Sequence, residues 1–443
     1  MIFKNKSKKI NQLEKQILKL VDQYSKLKFS LNVISKNISV PVSGKVIGSD
    51  ELKFMTQSSL DAWLTTGEFN KLFQESISKF TGIKHVLTVN SGSSANLVAF
   101  NSLTAPELGS RAIKKNDEVI TVAAGFPTTV NPIIQFGAIP VFVDIEPTTL
   151  NIDATRIVSA ITKKTKAIVI AHALGNPFDI KKIKYICKKF NLWLIEDCCD
   201  ALGSTFNNTH VGNFGDIATL SFYPAHHITT GEGGAVMTNN SELARIAESI
   251  RDWGRDCYCE PGVDNTCGKR FCWKLGKLPF GYDHKYIYSN LGYNLKITDM
   301  QAACGLAQMN KVSHFVKKRK KNFLYLKNKL SHLTHKLSFA ANLKNTDPSW
   351  FGFPITLKKN LGYSRVDFLS YLNDHNIGTR LLFAGNLTKQ PYMQNQNYKI
   401  HGNLKNTDNV MNNTFWIGVY PGLSNIHLNY VIKKINNFHG INF

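Results

Sequence analysis

Four cysteines carry the spacing C-x57-C-x-C-x7-C, at Cys199, Cys257, Cys259 and Cys267. Four thiolates can hold a [2Fe–2S] cluster or a single structural zinc ion, and spacing alone does not choose between them. Asp197 stands two residues before the first cysteine, at the end of the apolar run Leu192-Trp193-Leu194-Ile195. An acid at the carboxyl end of a buried strand can pair with a protonated pyridine nitrogen, which makes that ring an electron sink. It can equally serve as a helix cap. A metal at Cys199 would lie beside such a ring, a position that suits an electron relay better than a structural staple. Gly92-Ser93-Ser94 follows an apolar strand and opens a helix, so its N–H groups and hydroxyls can hold a phosphate. Phe126 follows a second strand and can stack on a planar ring or fill core. Ser221-Phe222-Tyr223 precedes His226-His227 and the turn Thr230-Gly231-Glu232-Gly233-Gly234. An imidazole with an ordinary pKa of about 6.5 is a usable base near neutral pH. His172 is expected to line the same site, with a core histidine as the alternative, and His227 to support the turn.

The elements that must position these groups read as strand, turn and helix from about residue 80. Short apolar runs at Val86–Val89, Glu118–Val122, Val141–Val143, Ala167–Ala171, Leu192–Glu196, Ala218–Phe222 and Gly234–Met237 predict strands. Helices alternate with most of them, one near Val130–Phe136. This predicts an α/β domain with a mostly parallel or mixed sheet, whose ligands lie at the carboxyl ends of its strands. Residues 41–325 are read as the large domain, with an insertion near 255–285 that carries the later cysteines. Residues 326–443 are read as a smaller α+β domain, with a strand at Phe351–Leu357 and a helix at Val366–His375. Residues 1–40 are read as a helical extension: Ile17, Leu18, Val21, Tyr24 and Leu27 predict a lysine-rich amphipathic helix packed on the main domain.

The chain has 443 residues, 43% of them hydrophobic, enough for one large core and a smaller one. Its net charge is +23, which favours anionic partners in general. The lysines are spread throughout, no arginine-rich arm exists, and no nucleic-acid reading module is recognisable. The N-terminus lacks the apolar core of a secretory signal, and no stretch reaches the about 20 apolar residues of a membrane span. A cytoplasmic protein without membrane or nucleic-acid partners is therefore expected. Eight cysteines in such a chain argue for metal or redox chemistry rather than disulfides. Cys187, Cys198, Cys272 and Cys304 are expected to be buried as small hydrophobes, with Cys272 the one rival ligand.

The segments NSGSSAN (90–96), FPTTVN (126–131), IEDCCDALG (195–203), SFYPAHHITTGEGGAVMT (221–238) and GYNLKITDMQAA (292–303) together resemble the sugar aminotransferase family of fold-type I pyridoxal phosphate enzymes. The likeness runs from about residue 40 to the C-terminus. It implies a fold-type I large domain with a smaller C-terminal domain, working as a homodimer. It implies that Asp197 pairs with the pyridine nitrogen and that Phe126 stacks on the ring. Gly92, Ser93 and Ser221 would hold the phosphate, and Asn294 would reach the phosphate of the neighbouring subunit.

The family's Schiff-base lysine stands four residues after the Ser-Phe pair, and here that position is His226. Imidazole cannot make the covalent link. No lysine occurs between Phe190 and Gly268 to replace it. The cofactor is then expected as noncovalent pyridoxamine 5'-phosphate, with His226 as base and dehydration in place of amino transfer. With the cysteine spacing and the segments PVSGKVIGSDEL (41–52) and SLDAWLTTGEFNKLF (59–73), the chain resembles the iron–sulfur 3-dehydrases of 3,6-dideoxyhexose biosynthesis, which act on CDP-4-keto-6-deoxy-glucose. That resemblance implies a [2Fe–2S] cluster on the four cysteines and an NADH-dependent flavin/iron–sulfur reductase as partner. It places the reaction in lipopolysaccharide O-antigen synthesis. It also implies that Asp200, Tyr223 and Phe351 shape the site, and that Arg380 and the loop Asn386–Pro391 meet the sugar nucleotide. The competing readings are a cluster-free dehydratase of a GDP-linked 4-keto-6-deoxy sugar and a noncatalytic zinc-stabilised scaffold.

Overall fold

A computed structural model describes residues 8–30, 38–259, 262–266 and 268–441. Cys267 lies outside the described residues. The long apolar runs become an eight-stranded sheet, whose strands are β1 (His85–Val89), β2 (Glu118–Thr121), β3 (Ile139–Phe142), β4 (Thr165–Ala171), β5 (Trp193–Asp197), β6 (Ile217–Ser221), β7 (Gly234–Thr238) and a two-residue strand at Lys399–Ile400. They lie in the order β1-β7-β6-β5-β4-β2-β3, with Lys399–Ile400 at the outer edge of β3. Strand β7 runs antiparallel to both neighbours and the other pairings are parallel, so the sheet is mixed. Helices cover both faces, which is why β2, β3 and β5 are buried at every position and read as continuous apolar runs.

Helices α1 (Lys8–Ser30), α2 (Ser49–Asp61) and α3 (Glu68–Thr81) precede the sheet. The predicted packed face of α1 is corrected in part. Leu18 and Val21 are half-buried, whereas Ile17, Tyr24 and Leu27 are exposed. Helix α4 (Gly92–Ser102) follows β1, and Ser91 caps it by accepting from the Ser94 N–H at 3.0 Å. Helix α5 (Pro127–Phe136) follows β2, with proline at its first position. The α3 N-terminus has no cap of its own; the Asp299 carboxylate accepts from the N–H groups of Gly67 (2.9 Å) and Asn70 (2.8 Å) instead.

A second, antiparallel sheet holds Leu337–Phe339, Gly352–Leu357, Thr414–Gly418 and Thr379–Leu381, in that order. The helix Arg365–Asp374 packs beside it. Its core is continuous with Val40, Val42, Ala124, Leu150 and Leu174 from the earlier chain. The C-terminal part also returns to the large sheet through Lys399–Ile400. No helix among the described residues is long and apolar enough to cross a membrane.

Candidate active site

One cavity of about 1230 Å3 opens at the carboxyl ends of β2, β4, β5 and β6. It exceeds the roughly 300–1,000 Å3 of common small-molecule sites, leaving room for two ligands at once. Asp197 ends β5 and is buried. Its Oδ2 accepts from Asn96 Nδ2 (2.9 Å) and Thr129 Oγ1 (2.7 Å), and its Oδ1 from the Cys199 N–H (3.1 Å). Three elements thus fix one carboxylate at the pocket wall. Asn96 and Thr129 were not singled out from sequence, although both lie inside segments that carried the resemblance.

The N-terminus of α4 faces the end of β6. A Cβ on Gly92 would stand 2.5 Å from the Ser221 Cβ, and one on Gly234 would stand 2.5 Å from the Ser91 carbonyl oxygen. Glycine at both positions lets three backbones converge, with the exposed Ser93 hydroxyl and the half-buried Ser221 left at the corner. Helix N–H groups and hydroxyls in a tight corner are a fitting cradle for a phosphate. Phe126 precedes α5 on the rim, half exposed, its ring edge-on to Phe383 at 5.8 Å.

His226 lies in the turn after β6, facing Asp200, with Nδ1 3.4 Å from Asp200 Oδ1. The contact lacks hydrogen-bond geometry, and Nδ1 is a buried polar atom with no hydrogen-bond partner among the described residues. Burial raises the Asp200 carboxyl above its usual range, and the His226 contact acts against that rise. The His226 ring sits 5.0 Å from the Phe351 ring, and Phe351 packs on Trp416 at 5.2 Å. Tyr223 is half exposed at the mouth, and Arg380 reaches the cavity from the second sheet. Of the loop Asn386–Pro391, Gln390 meets the cavity, while Asn386 is buried against Asp408.

Arg319 is the positioning residue that sequence reading missed. It is fully buried, and its guanidinium donates to the carbonyls of His226 (3.0 Å), Phe351 (3.1 Å) and Trp350 (3.3 Å). It ties the turn that bears His226 to the strand that follows Phe351. Burial lowers its pKa to about 10, so it stays charged at neutral pH. Its position in a lysine-rich helical segment gave no local signal.

Two expectations about single residues are corrected. His172 is a core histidine: it is fully buried, pairs with Glu196 at 3.1 Å and stacks on Phe178 at 4.1 Å. The neighbouring Ala171 and Ala173 line the cavity instead. Cys272 is exposed, whereas Cys187, Cys198 and Cys304 are buried as expected. His227 is buried and bonds the Ser349 carbonyl at 2.9 Å, so it anchors the turn.

Cys199 forms part of the cavity wall, half-buried. Burial, then the charge of Asp197, pushes its thiol up. Cys257 and Cys259 lie on the lobe between the helices Ser241–Arg251 and Asp299–Met309. The donor atoms of Cys257, Cys259 and His284 fall within 4.8 Å of one another. Thiols with an imidazole are donors that suit zinc or an iron–sulfur cluster. His284 was not foreseen. It is fully buried, its Nε2 is 3.9 Å from Cys259 Sγ, and Trp273 meets its ring edge-on. Asn294 is exposed away from the cavity lining, where its backbone bridges Asp252.

The model of the DegT/DnrJ/EryC1/StrS aminotransferase family matches residues 45–436. The chain belongs to that family. Among its relatives, the lipopolysaccharide biosynthesis protein RfbH of Salmonella typhimurium is 60% identical over 98% of this chain and 99% of that protein. A dTDP-4-dehydro-2,6-dideoxy-D-glucose 3-dehydratase of Saccharopolyspora spinosa is 48% identical over 96% of this chain and 91% of that enzyme. The solved structure of E. coli GDP-4-keto-6-deoxy-D-mannose-3-dehydratase with bound hydrated PLP superposes with a TM-score of 0.80. It is 30% identical and covers 90% of this chain and 99% of that one. The expected fold class, an α/β PLP-dependent transferase type, is thereby established.

Proposed function

We propose that this chain removes the 3-hydroxyl of a CDP-linked 4-keto-6-deoxyhexose, with pyridoxamine 5'-phosphate and a [2Fe–2S] cluster, on the route to 3,6-dideoxyhexoses of lipopolysaccharide O-antigen. The observation that carries the reading is His226, an imidazole at the family's lysine position, set in a cavity wall with Asp197. The names of the relatives, nucleotide-sugar 3-dehydratases and a lipopolysaccharide biosynthesis protein, support the reaction class and differ in nucleotide. The CDP assignment rests on the resemblance and on the cysteine spacing.

Gly92, Ser93 and Ser221 would hold the cofactor phosphate, Asp197 the ring nitrogen, and Phe126 the ring face. Asp200 and Tyr223 would border the cofactor, Asn294 would complete the site of the neighbouring subunit in a homodimer, and Phe351 and Arg380 would meet the sugar nucleotide. Bound there, pyridoxamine phosphate supplies an amine for the sugar ketone and a ring that accepts electron density. His226 takes the proton from carbon; with Nδ1 turned to Asp200, Nε2 is the accepting atom. His226, once protonated, can return that proton to the departing hydroxyl as water. Asp200, held by burial beside it, steadies the imidazolium. Phe351 and Trp416 keep bulk water from that side of the ring. Cys199, Cys257, Cys259 and Cys267 would hold the cluster, which would supply a carrier for electrons, one at a time, from a partner NADH-dependent reductase.

The test is oxygen exchange. Cofactor-loaded protein incubated with the CDP-sugar in isotopically labelled water, without reductase, should place label at the 3-hydroxyl. No label at C3, or transfer of the amine to the sugar, would reject the reading. Exchange on the GDP-linked sugar alone would favour the cluster-free alternative, to which the GDP-sugar dehydratase structure lends weight.

A further inference from the structure

Helix α1 carries two faces. One meets α2: Ser25 is buried, Leu18 and Val21 are half-buried, and Asp22 accepts from the Ser49 hydroxyl at 2.5 Å. On the other, Ile10, Leu13, Ile17, Leu20, Tyr24 and Leu27 follow one another in alternating steps of three and four residues. All six are exposed, from 37% at Ile17 to 69% at Leu27. Steps of three and four average 3.5 residues, the period of a coiled-coil seam rather than of a face resting on a globular body.

The residue types narrow the partner. With Ile10 at position a of the heptad, Ile17 and Tyr24 also fall at a, and Leu13, Leu20 and Leu27 fall at d. β-Branched residues at a with leucine at d favour two parallel strands. Of the six lysines of the helix, Lys8, Lys15, Lys19 and Lys26 fall at the outer positions c and f, Lys9 at g and Lys28 at e. The flanking e and g positions between Ile10 and Leu27 hold Glu14, Gln16, Val21 and Gln23. Two copies can therefore meet without lysines facing each other across the seam. An anionic lipid surface would be better met by lysines along the whole apolar stripe, and only Lys9 and Lys28, at its two ends, flank it.

We propose that α1 pairs in parallel with α1 of a second copy of this chain through the Ile10–Leu27 seam. The seam is about 26 Å long. A helix pair this short is marginal alone, so it acts as a clasp between chains that also carry their folded bodies.

Cysteine cross-linking of the full chain tests this. In a Cys272→Ser background, Leu20→Cys puts two d-position thiols face to face in a parallel pair. Mild oxidation should convert most of the protein to a disulfide-linked dimer. Lys19→Cys, at an outer position, should form little of it. Independently, Leu13→Glu with Leu20→Glu should weaken self-association at least about tenfold by sedimentation, with the helical circular dichroism retained. A chain that sediments as a monomer, equal cross-linking at Lys19→Cys and Leu20→Cys, or self-association unchanged by the glutamates would overturn the proposal.

Discussion

At the scale of single residues, the account turns on an imidazole that replaces an amine. His226→Ala removes the proposed proton acceptor and none of the groups proposed to hold the cofactor phosphate and ring. The variant should retain pyridoxamine phosphate through gel filtration and lose oxygen exchange by at least about a hundredfold, the usual scale for one general base. Normal turnover by that variant would show that another group takes the proton. Arg319 acts through backbone it holds. Arg319→Met leaves buried carbonyls of His226, Phe351 and Trp350 without donors, which costs about 2–3 kcal/mol of stability. The rate should fall on the order of a hundredfold, because a displacement of about 1 Å is enough for that. Arg319→Lys should restore part of kcat with little change in KM, a split that simple destabilisation does not produce. His172 and Cys272 show the limit of reading residues singly. The first lies between two cavity-lining alanines but its side chain turns to Glu196. The second is a cysteine on the surface of the lobe.

At the scale of elements, much of the large sheet was legible. Parallel strands buried on both faces must be continuous apolar runs, and β1 to β7 fall within one or two residues of their predicted bounds. The strand at Lys399–Ile400 was not legible, because two exposed residues joined to an edge carry no periodicity. The lining of the candidate site was legible where chemistry and strand ends coincide, as at Asp197 and Ser221. It was not legible where distant chain supplies the partner, as with Arg319 or His284. The ribbon Thr205–Phe206 and Thr209–His210 makes a prediction of its own. Burial, then nearby Lys320, lowers the His210 pKa from 6.5 to about 4. The unfolded chain takes up that proton near pH 6.5, as a free imidazole does, and the folded chain only near pH 4. This contribution to stability is therefore intact above the unfolded pKa, falls as pH drops through that window, and levels off below it. His210→Phe, which can pack on Phe80 in the same place, should flatten the loss between neutral pH and pH of about 4.5 in urea unfolding. An unchanged difference between wild type and variant across that range would reject the assignment.

At the scale of the whole molecule, two distant parts of the chain must cooperate. The large sheet offers Asp197, Cys199 and His226 at one wall, and the second sheet closes the cavity with Phe351, Arg380 and Trp416. The lobe between residues 252 and 298 carries Cys257, Cys259 and His284 on mostly irregular backbone. A loop-built lobe is costly to order by packing alone, and a metal bound by thiolates would hold it. The net charge of +23 favours anionic partners in general. The most direct test of the account is metal and sulfide analysis of the protein purified without oxygen, beside its Cys259→Ser variant. About two irons and two sulfides per chain, both lost from the variant while pyridoxamine phosphate still binds, are predicted. Zinc in their place, or no metal in either protein, would contradict it.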